Sequence, residues 1–375
     1  MKILYSCMSQ SWGGMEMFTI RSVLELLKRN IDVELICYPQ SQIHIEAEKK
    51  SIITHTIKIA GYLNPFAVLK LIRLLRKQRF DLVHTQASRD LWLLVPALVI
   101  SGRKIPLILS KQVGSFIKKK DVFHRFLYSR LTYALAISEV IKINLLDTCP
   151  LTEDKILLLH NSVDTDKFDI NKYDPQSVRK ELNIIDDELV IGMVARFSWG
   201  KGHEEFLYAA GELSKKYTNL KFLIVGEASR GETEYEEKIK RLAGEYNLKG
   251  KVIFAGYRSD IPAIISAMDI FAFPSHSEAF GIALVEAMSM SKPSVCSNTD
   301  GVLDIAVDGQ TSYLFEKQNG SDLADKLEQF IKSPEKRKQF GMAARKRAVD
   351  FFDVKYLTDK VIEIYEMALK TGGAK

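Results

Sequence analysis

The chain lacks what marks a metal or disulfide scaffold. Its four cysteines, Cys7, Cys37, Cys149 and Cys296, stand far apart, with no C-x-x-C pair and no Cys/His cluster. That spacing indicates neither a zinc site nor a disulfide framework, and it fits reduced thiols in a cytosolic protein. Long apolar runs are missing too. The longest, Leu91 to Ile100, is half of what a membrane-spanning helix needs. The N-terminal run Met1-Lys2-Ile3-Leu4-Tyr5-Ser6-Cys7 is too short for a signal peptide and reads as a first strand. No internal repeat or low-complexity tract stands out, and the G-x-G-x-x-G of dinucleotide enzymes is absent.

What is present is the composition of a soluble globular chain, 46% hydrophobic and 27% charged, and 375 residues exceed what one core usually holds. The charge is uneven. Residues 1–165 carry 23 Lys/Arg against 14 Asp/Glu, whereas residues 166–375 carry 30 against 33. A basic N-terminal half suggests an acidic partner on that half only.

Short apolar runs alternate with amphipathic helical patterns. "KILYSC", "DVELICY", "FDLVHT", "LILS", "ALAIS" and "KILLLH" read as strands in the first half; "LVIGMVARF", "KFLIVG", "KVIFAG", "DIFAFPS" and "PSVCSN" do so in the second. Strand–helix alternation argues for parallel sheets with helices on both faces. The alternation breaks in the polar stretch after residue 165, which contains Pro175. The expected fold class is therefore α/β, two Rossmann-like doubly wound parallel-sheet domains facing a central cleft, the first spanning 1–165.

In such sheets ligands bind at the carboxyl ends of strands, beside helix N-termini. Three loops have that position. In "SQSWGGMEMF", Gly13 and Gly14 allow close backbone approach to an anion, or simply make a tight turn. In "VARFSWGKGHEEF", Arg196 and Lys201 flank a loop directly after a strand, with Gly200 and Gly202 bracketing the lysine. Two cations there suit a diphosphate. In "HSEAFGIALVEAM", Glu278 sits on the loop, the backbone N–H groups of Phe280, Gly281 and Ile282 lie near the helix N-terminus, and Glu286 falls inside a helix that is apolar nearly all round. A helix of that kind is expected to be buried, and a carboxylate buried without a partner is costly. Glu286 is therefore read as a ligand-binding residue.

Other signals are open. Asp164-Thr165-Asp166 matches a D-x-D metal motif, but its place in "HNSVDTDKF" fits a turn better. His84, ending a strand, is either catalytic or structural. "SFIKKKDVFHRFLYSRL" mixes Lys118, Lys119, Lys120, Arg125 and Arg130 with Phe116, Phe123, Phe126, Leu127 and Tyr128. That mixture suits an anionic membrane surface, and equally an ordinary surface helix. No nucleic-acid recognition motif is present.

Taken together the motifs resemble the retaining glycosyltransferases of family 4, of GT-B fold. "EAFGIALVEAM" is similar to their Glu-seven-residues-Glu signature, "VARFSWGKG" to their Arg…Lys-Gly phosphate loop, and "SWGGMEMF" to their N-terminal Gly-Gly-x-Glu. "LLLHNSVDTDKF" and "KVIFAGYRSDIPAIISAMDIFAFPS" follow the family pattern as well. The resemblance implies that Arg196 and Lys201 hold the donor pyrophosphate and that Glu286 binds the ribose. It implies that Glu278 meets the donor sugar, with the amides of Phe280 to Ile282 nearby, and that Gly14 lines the phosphate side. It further implies metal-independent transfer with no cofactor beyond the nucleotide-sugar co-substrate, and a last helix, about 353–375, that packs back on the N-terminal domain, so that the second domain spans 166–352. Where many members have a second His, this chain has Gln86, and Asp300-Gly301…Asp304 stands for the usual Gly-Gly…Glu.

The expected activity is transfer of a sugar, commonly from a UDP-sugar, to a glycan or lipid-linked acceptor in lipopolysaccharide or capsule assembly. The expected location is the cytoplasm, peripherally on the inner face of the plasma membrane, with no nucleic-acid partner. The competing readings are a sugar-nucleotide epimerase of the same fold and a non-catalytic sugar-nucleotide-binding protein.

Overall fold

The computed structural model describes residues 1–59, 61, 64–228 and 231–373. The chain forms two compact units, Met1–His160 with Lys355–Lys375, and Asn161–Val354. Each is built on one sheet in which every strand pair is parallel. Parallel strands need crossover connections, which is why each apolar run is separated from the next by a helix or long loop.

The first sheet contains β1 (Lys2–Cys7), β2 (Asp32–Cys37), β3 (Thr54–Thr56), β4 (Leu82–Thr85), β5 (Leu107–Lys111), β6 (Tyr133–Ala136) and β7 (Ile156–Leu158), ordered β3-β2-β1-β4-β5-β6-β7. The second contains β8 (Leu189–Val194), β9 (Leu220–Val225), β10 (Val252–Phe254), β11 (Ile270–Phe273), β12 (Ser294–Ser297) and β13 (Ser312–Phe315), ordered β10-β9-β8-β11-β12-β13. In both, the chain winds one way from the first strand and then the other. The order reverses between β1 and β4 in one unit and between β8 and β11 in the other, and a binding crevice belongs beside such a switch point.

Strands β5 and β11 are buried end to end and β1 from Ile3 onward, and so the central strands read as largely apolar runs. Two edge strands, β3 and β13, were not expected from the sequence. The final helix, Val354–Gly373, contributes Ile364, Tyr365 and Ala368 to the same core as Ile3, Tyr5, Leu35 and Leu82. Asn161–Thr165, read from the sequence as the end of the first domain, belongs to the second unit. There it runs beside the start of the returning segment: Val163 N–H donates to Phe352 O, Val354 N–H donates to Val163 O, both at 2.9 Å, and Thr165 Oγ1 donates to Asp353.

Candidate functional site

The loops after β8 and β11 are stitched together. Because β8 and β11 are neighbours, with Ile270 opposite Ile191, their carboxyl ends lie side by side. His276 N–H donates to Gly200 O at 2.8 Å. Gly202 caps the His203–Lys216 helix at φ +79°, and a Cβ on it would fall 2.1 Å from Pro274 O, so only glycine fits. Phe197 and His203, at the two ends of the first loop, stack at 4.6 Å and 16°. Burial lowers the His203 pKa to about 4, so this ring is neutral.

The stitching brings Lys201 Nζ to 2.6 Å from Glu278 Oε1, with 25% and 17% of the two side chains exposed. An ammonium has three N–H groups, and Glu278 takes one, leaving donors for a second anion. Arg196 lies on the same loop, exposed. The Glu278 loop is held from below as well: Gly301 N–H donates to Glu278 O at 3.0 Å, and a Cβ on Gly301 would meet Ala279 O at 2.6 Å. Asp300, which occupies the place of a family glycine, has φ +42°, and its carboxylate accepts from Ser277 Oγ at 2.6 Å.

Gly281 caps the Ile282–Ser289 helix at φ +119°, against the Phe273 ring and Ile305. Phe280 is buried. The expectation that Glu286 is buried is not met. Ile282, Ala283 and Glu286 share one face and are half-buried, while Leu284, Val285, Ala287 and Met288 are in the core. Residues at i, i+3 and i+4 form a stripe, so this helix has an open face. The sequence hid it, because two of its three members are apolar.

The structure therefore brings Arg196, Lys201, Glu278, Phe280, Gly281, Ile282 and Glu286 onto one end of the second sheet. Gly14 belongs to the first unit, where it opens the Gly14–Lys28 helix with open space where a Cβ would stand. His84 is only 2% exposed. Its Nδ1 lies 2.6 Å from Tyr365 Oη and its Nε2 2.8 Å from Ser110 Oγ, and burial pushes its pKa down to about 3. Gln86 is also buried, between Tyr5 Oη and the Gln112 amide. His84 ties the returning helix to the first sheet through Tyr365, which favours the structural reading of His84.

The switch point of the first sheet carries a feature that sequence reading missed. A cavity of about 320 Å³ is lined by Gln10, Tyr38, Asn64, Trp92 and Asp90, among others. Asp90 is buried, and its Oδ2 accepts from Ser6 Oγ, Thr85 Oγ1 and Met8 N–H. Burial outweighs these bonds and raises its pKa to about 6. Its only sequence signal was an Asp a few residues past a strand.

Asp164 holds a turn, accepting from Lys167 N–H at 2.9 Å. Among the described residues no group of three His, Cys, Asp or Glu is placed to hold a metal ion, and no helix is long and apolar enough to cross a membrane.

Two doubly wound parallel-sheet units, each with a switch point at its central strands, have the architecture of the GT-B fold. The comparisons give the family. The model described as glycosyl transferases group 1 matches residues 174–347, and that of glycosyltransferase family 4 matches residues 12–167. The chain belongs to the group 1, family 4 glycosyltransferases. It is 25% identical over 370 residues to the capsular polysaccharide biosynthesis glycosyltransferase CapM of Staphylococcus aureus, with 95% of each chain covered. It is 25% identical over 371 residues to an Escherichia coli UDP-Gal:alpha-D-GlcNAc-diphosphoundecaprenol alpha-1,3-galactosyltransferase, covering 94% of this chain and 93% of that one. In fold it is similar to Anabaena HepE, solved in complex with UDP and glucose, with a TM-score of 0.80, 21% identity, and 98% and 99% of the two chains covered.

Proposed function

We propose that this glycosyltransferase moves a sugar, with retention, from a UDP-sugar to a glycan or lipid-linked acceptor during assembly of a bacterial surface polysaccharide. The observation that carries the reading is the Lys201–Glu278 contact at the switch point, on the loop that also carries Arg196. Arg196 and Lys201 would neutralise the diphosphate as it leaves, a stabilisation that is usually the largest catalytic term. Glu278 would hold Lys201 in place and meet the donor sugar, with the backbone of Phe280 to Ile282 alongside. Glu286, on the open stripe of its helix, would accept from ribose hydroxyls. UDP in HepE, and the capsule and diphosphoundecaprenol named for the two relatives, support the donor and acceptor classes.

The test is incubation of the purified protein, in EDTA, with UDP-sugars and GDP-mannose across a wide panel of glycan and lipid-linked acceptors, scoring released nucleotide and the anomer formed. Release of UDP with a retained anomer supports the proposal. Turnover of the sugar nucleotide without nucleotide release would make the chain an epimerase, and saturable donor binding without turnover would make it a binding protein.

The reading extends to location. Val113, Phe116, Ile117, Val122, Phe123 and Phe126 are all exposed, within a stretch that also carries Lys118, Lys120 and Arg125. Apolar side chains at the interface together with cations suit anionic lipid headgroups. Sedimentation with phosphatidylglycerol vesicles at low salt, lost at high salt and in Phe116→Ser/Phe123→Ser, is the expected outcome. No sedimentation at low salt contradicts it.

A further inference from the structure

The loop that follows β5 is clamped to the Glu139–Thr148 helix. Ser115 N–H donates to Asn144 Oδ1 at 2.8 Å, Asn144 Nδ2 donates to Ser115 O at 2.9 Å, and Lys119 N–H donates to Thr148 O at 2.6 Å. The clamp sets Lys119 Nζ 3.5 Å from Ser88 Oγ. Lys111, the last residue of β5, reaches the same hydroxyl, also at 3.5 Å. Lys111 is only 7% exposed, yet among the described residues neither ammonium has a carboxylate within 4.0 Å. The buried Tyr128 hydroxyl stands near Ser88 and has no hydrogen-bond partner of its own there.

A buried ammonium without a counter-ion is costly, and a second cation sharing its one neutral hydroxyl adds repulsion. Burial and then the Lys119 charge lower the Lys111 pKa to about 8. An anion between the two lysines would relieve both costs. Two ammonium groups and the Ser88 hydroxyl offer several converging donors, which suits the multiple oxygens and double charge of a phosphoryl group better than one carboxylate. Ser88 and Lys119 are half-buried, so the cluster opens to solvent.

We propose that Lys111, Lys119 and Ser88 form a phosphoryl-binding site on the first unit, which takes a phosphate or diphosphate group carried by the acceptor. The assignment to the acceptor rests on the transferase reading above; the anion site itself does not. Exposed Phe116 and Ile117, on the same loop, suit the apolar part of such a molecule.

The test is calorimetric titration of inorganic pyrophosphate into full-length protein carrying Arg196→Ala and Lys201→Ala, so that the donor loop does not contribute. Saturable binding to one site per chain is expected, weakened about tenfold or more by Lys119→Gln and by Lys111→Met. Should Lys111→Met fail to fold, the half-buried Lys119 carries the test. Phosphatidylglycerol vesicles that leave the isotherm unchanged are expected and fit a phosphate carried by the acceptor; vesicles that displace the pyrophosphate identify a lipid headgroup as the source and overturn the assignment to the acceptor. Absence of saturable binding, or binding that Lys119→Gln leaves unaltered, overturns it. Because no sugar is transferred in this titration, its failure is separate from failure of the transferase reading.

Discussion

Lys201 and Glu278, seventy-seven residues apart in sequence, meet at 2.6 Å because the strands that precede their loops are neighbours in the sheet. If Glu278 orients Lys201 and faces the sugar, Glu278→Gln should lower kcat by about 100-fold or more while the fold survives. Steady-state UDP release, with circular dichroism as the fold control, checks this. Unchanged kcat would remove Glu278 from the site.

Glu286 should behave differently. A ribose contact is made equally in the ground and transition states, so Glu286→Ala should raise the donor KM about tenfold or more and leave kcat nearly unchanged. Its half-buried place on the Ile282, Ala283 and Glu286 stripe means that the thermal midpoint should move little. A large fall in the midpoint with unaltered KM would make Glu286 a structural residue.

Two glycines of one loop separate strain from packing. Gly200 and Gly202 both have positive φ, +86° and +79°, but only Gly202 has a backbone oxygen where a Cβ would stand. Gly202→Ala should cost roughly 2 kcal/mol or more, and Gly200→Ala about 1 kcal/mol. Urea denaturation of the two variants measures the difference, and equal costs would mean that the Pro274 contact is not rigid.

His84 makes stability depend on pH in a stated direction. Its native pKa is pushed to about 3, below the ordinary value of 6.5, so under pH 6.5 the unfolded chain binds a proton that the native chain does not. The stability it contributes is complete above pH 6.5 and is lost as the pH falls toward 3. Tyr365, Ser110 and Tyr5 face the ring, and none of them is charged in this range. Between pH 7 and pH 5, His84 should therefore account for a loss of about 2 kcal/mol. His84→Gln should lose less than the parent over that interval in paired denaturation curves; parallel losses would contradict a buried neutral imidazole. Glycosyl transfer retained by this variant would exclude a catalytic role.

Much of this was legible in the sequence. Buried central strands such as "KILYSC" and "DIFAFPS" announce themselves as continuous apolar runs, because both faces of a parallel sheet are covered. The two missed strands, Thr54–Thr56 and Ser312–Phe315, are short sheet edges, where one side has no neighbour and an apolar run is not required. The loops holding Arg196, Lys201 and Glu278 were recognisable, but not their contact, which depends on strand order. The open stripe of Glu286 was masked by Ile282 and Ala283. The Lys111–Lys119 pair could not be read at all, since the clamp through Asn144 exists only in the folded unit.

The most direct test of the proposed donor site is calorimetric titration of UDP, in EDTA, into the parent protein and Lys201→Ala. Saturable binding by the parent, weakened about tenfold or more in the variant, is the predicted result. Equal affinity in the two proteins, or no UDP binding by the parent, would contradict it.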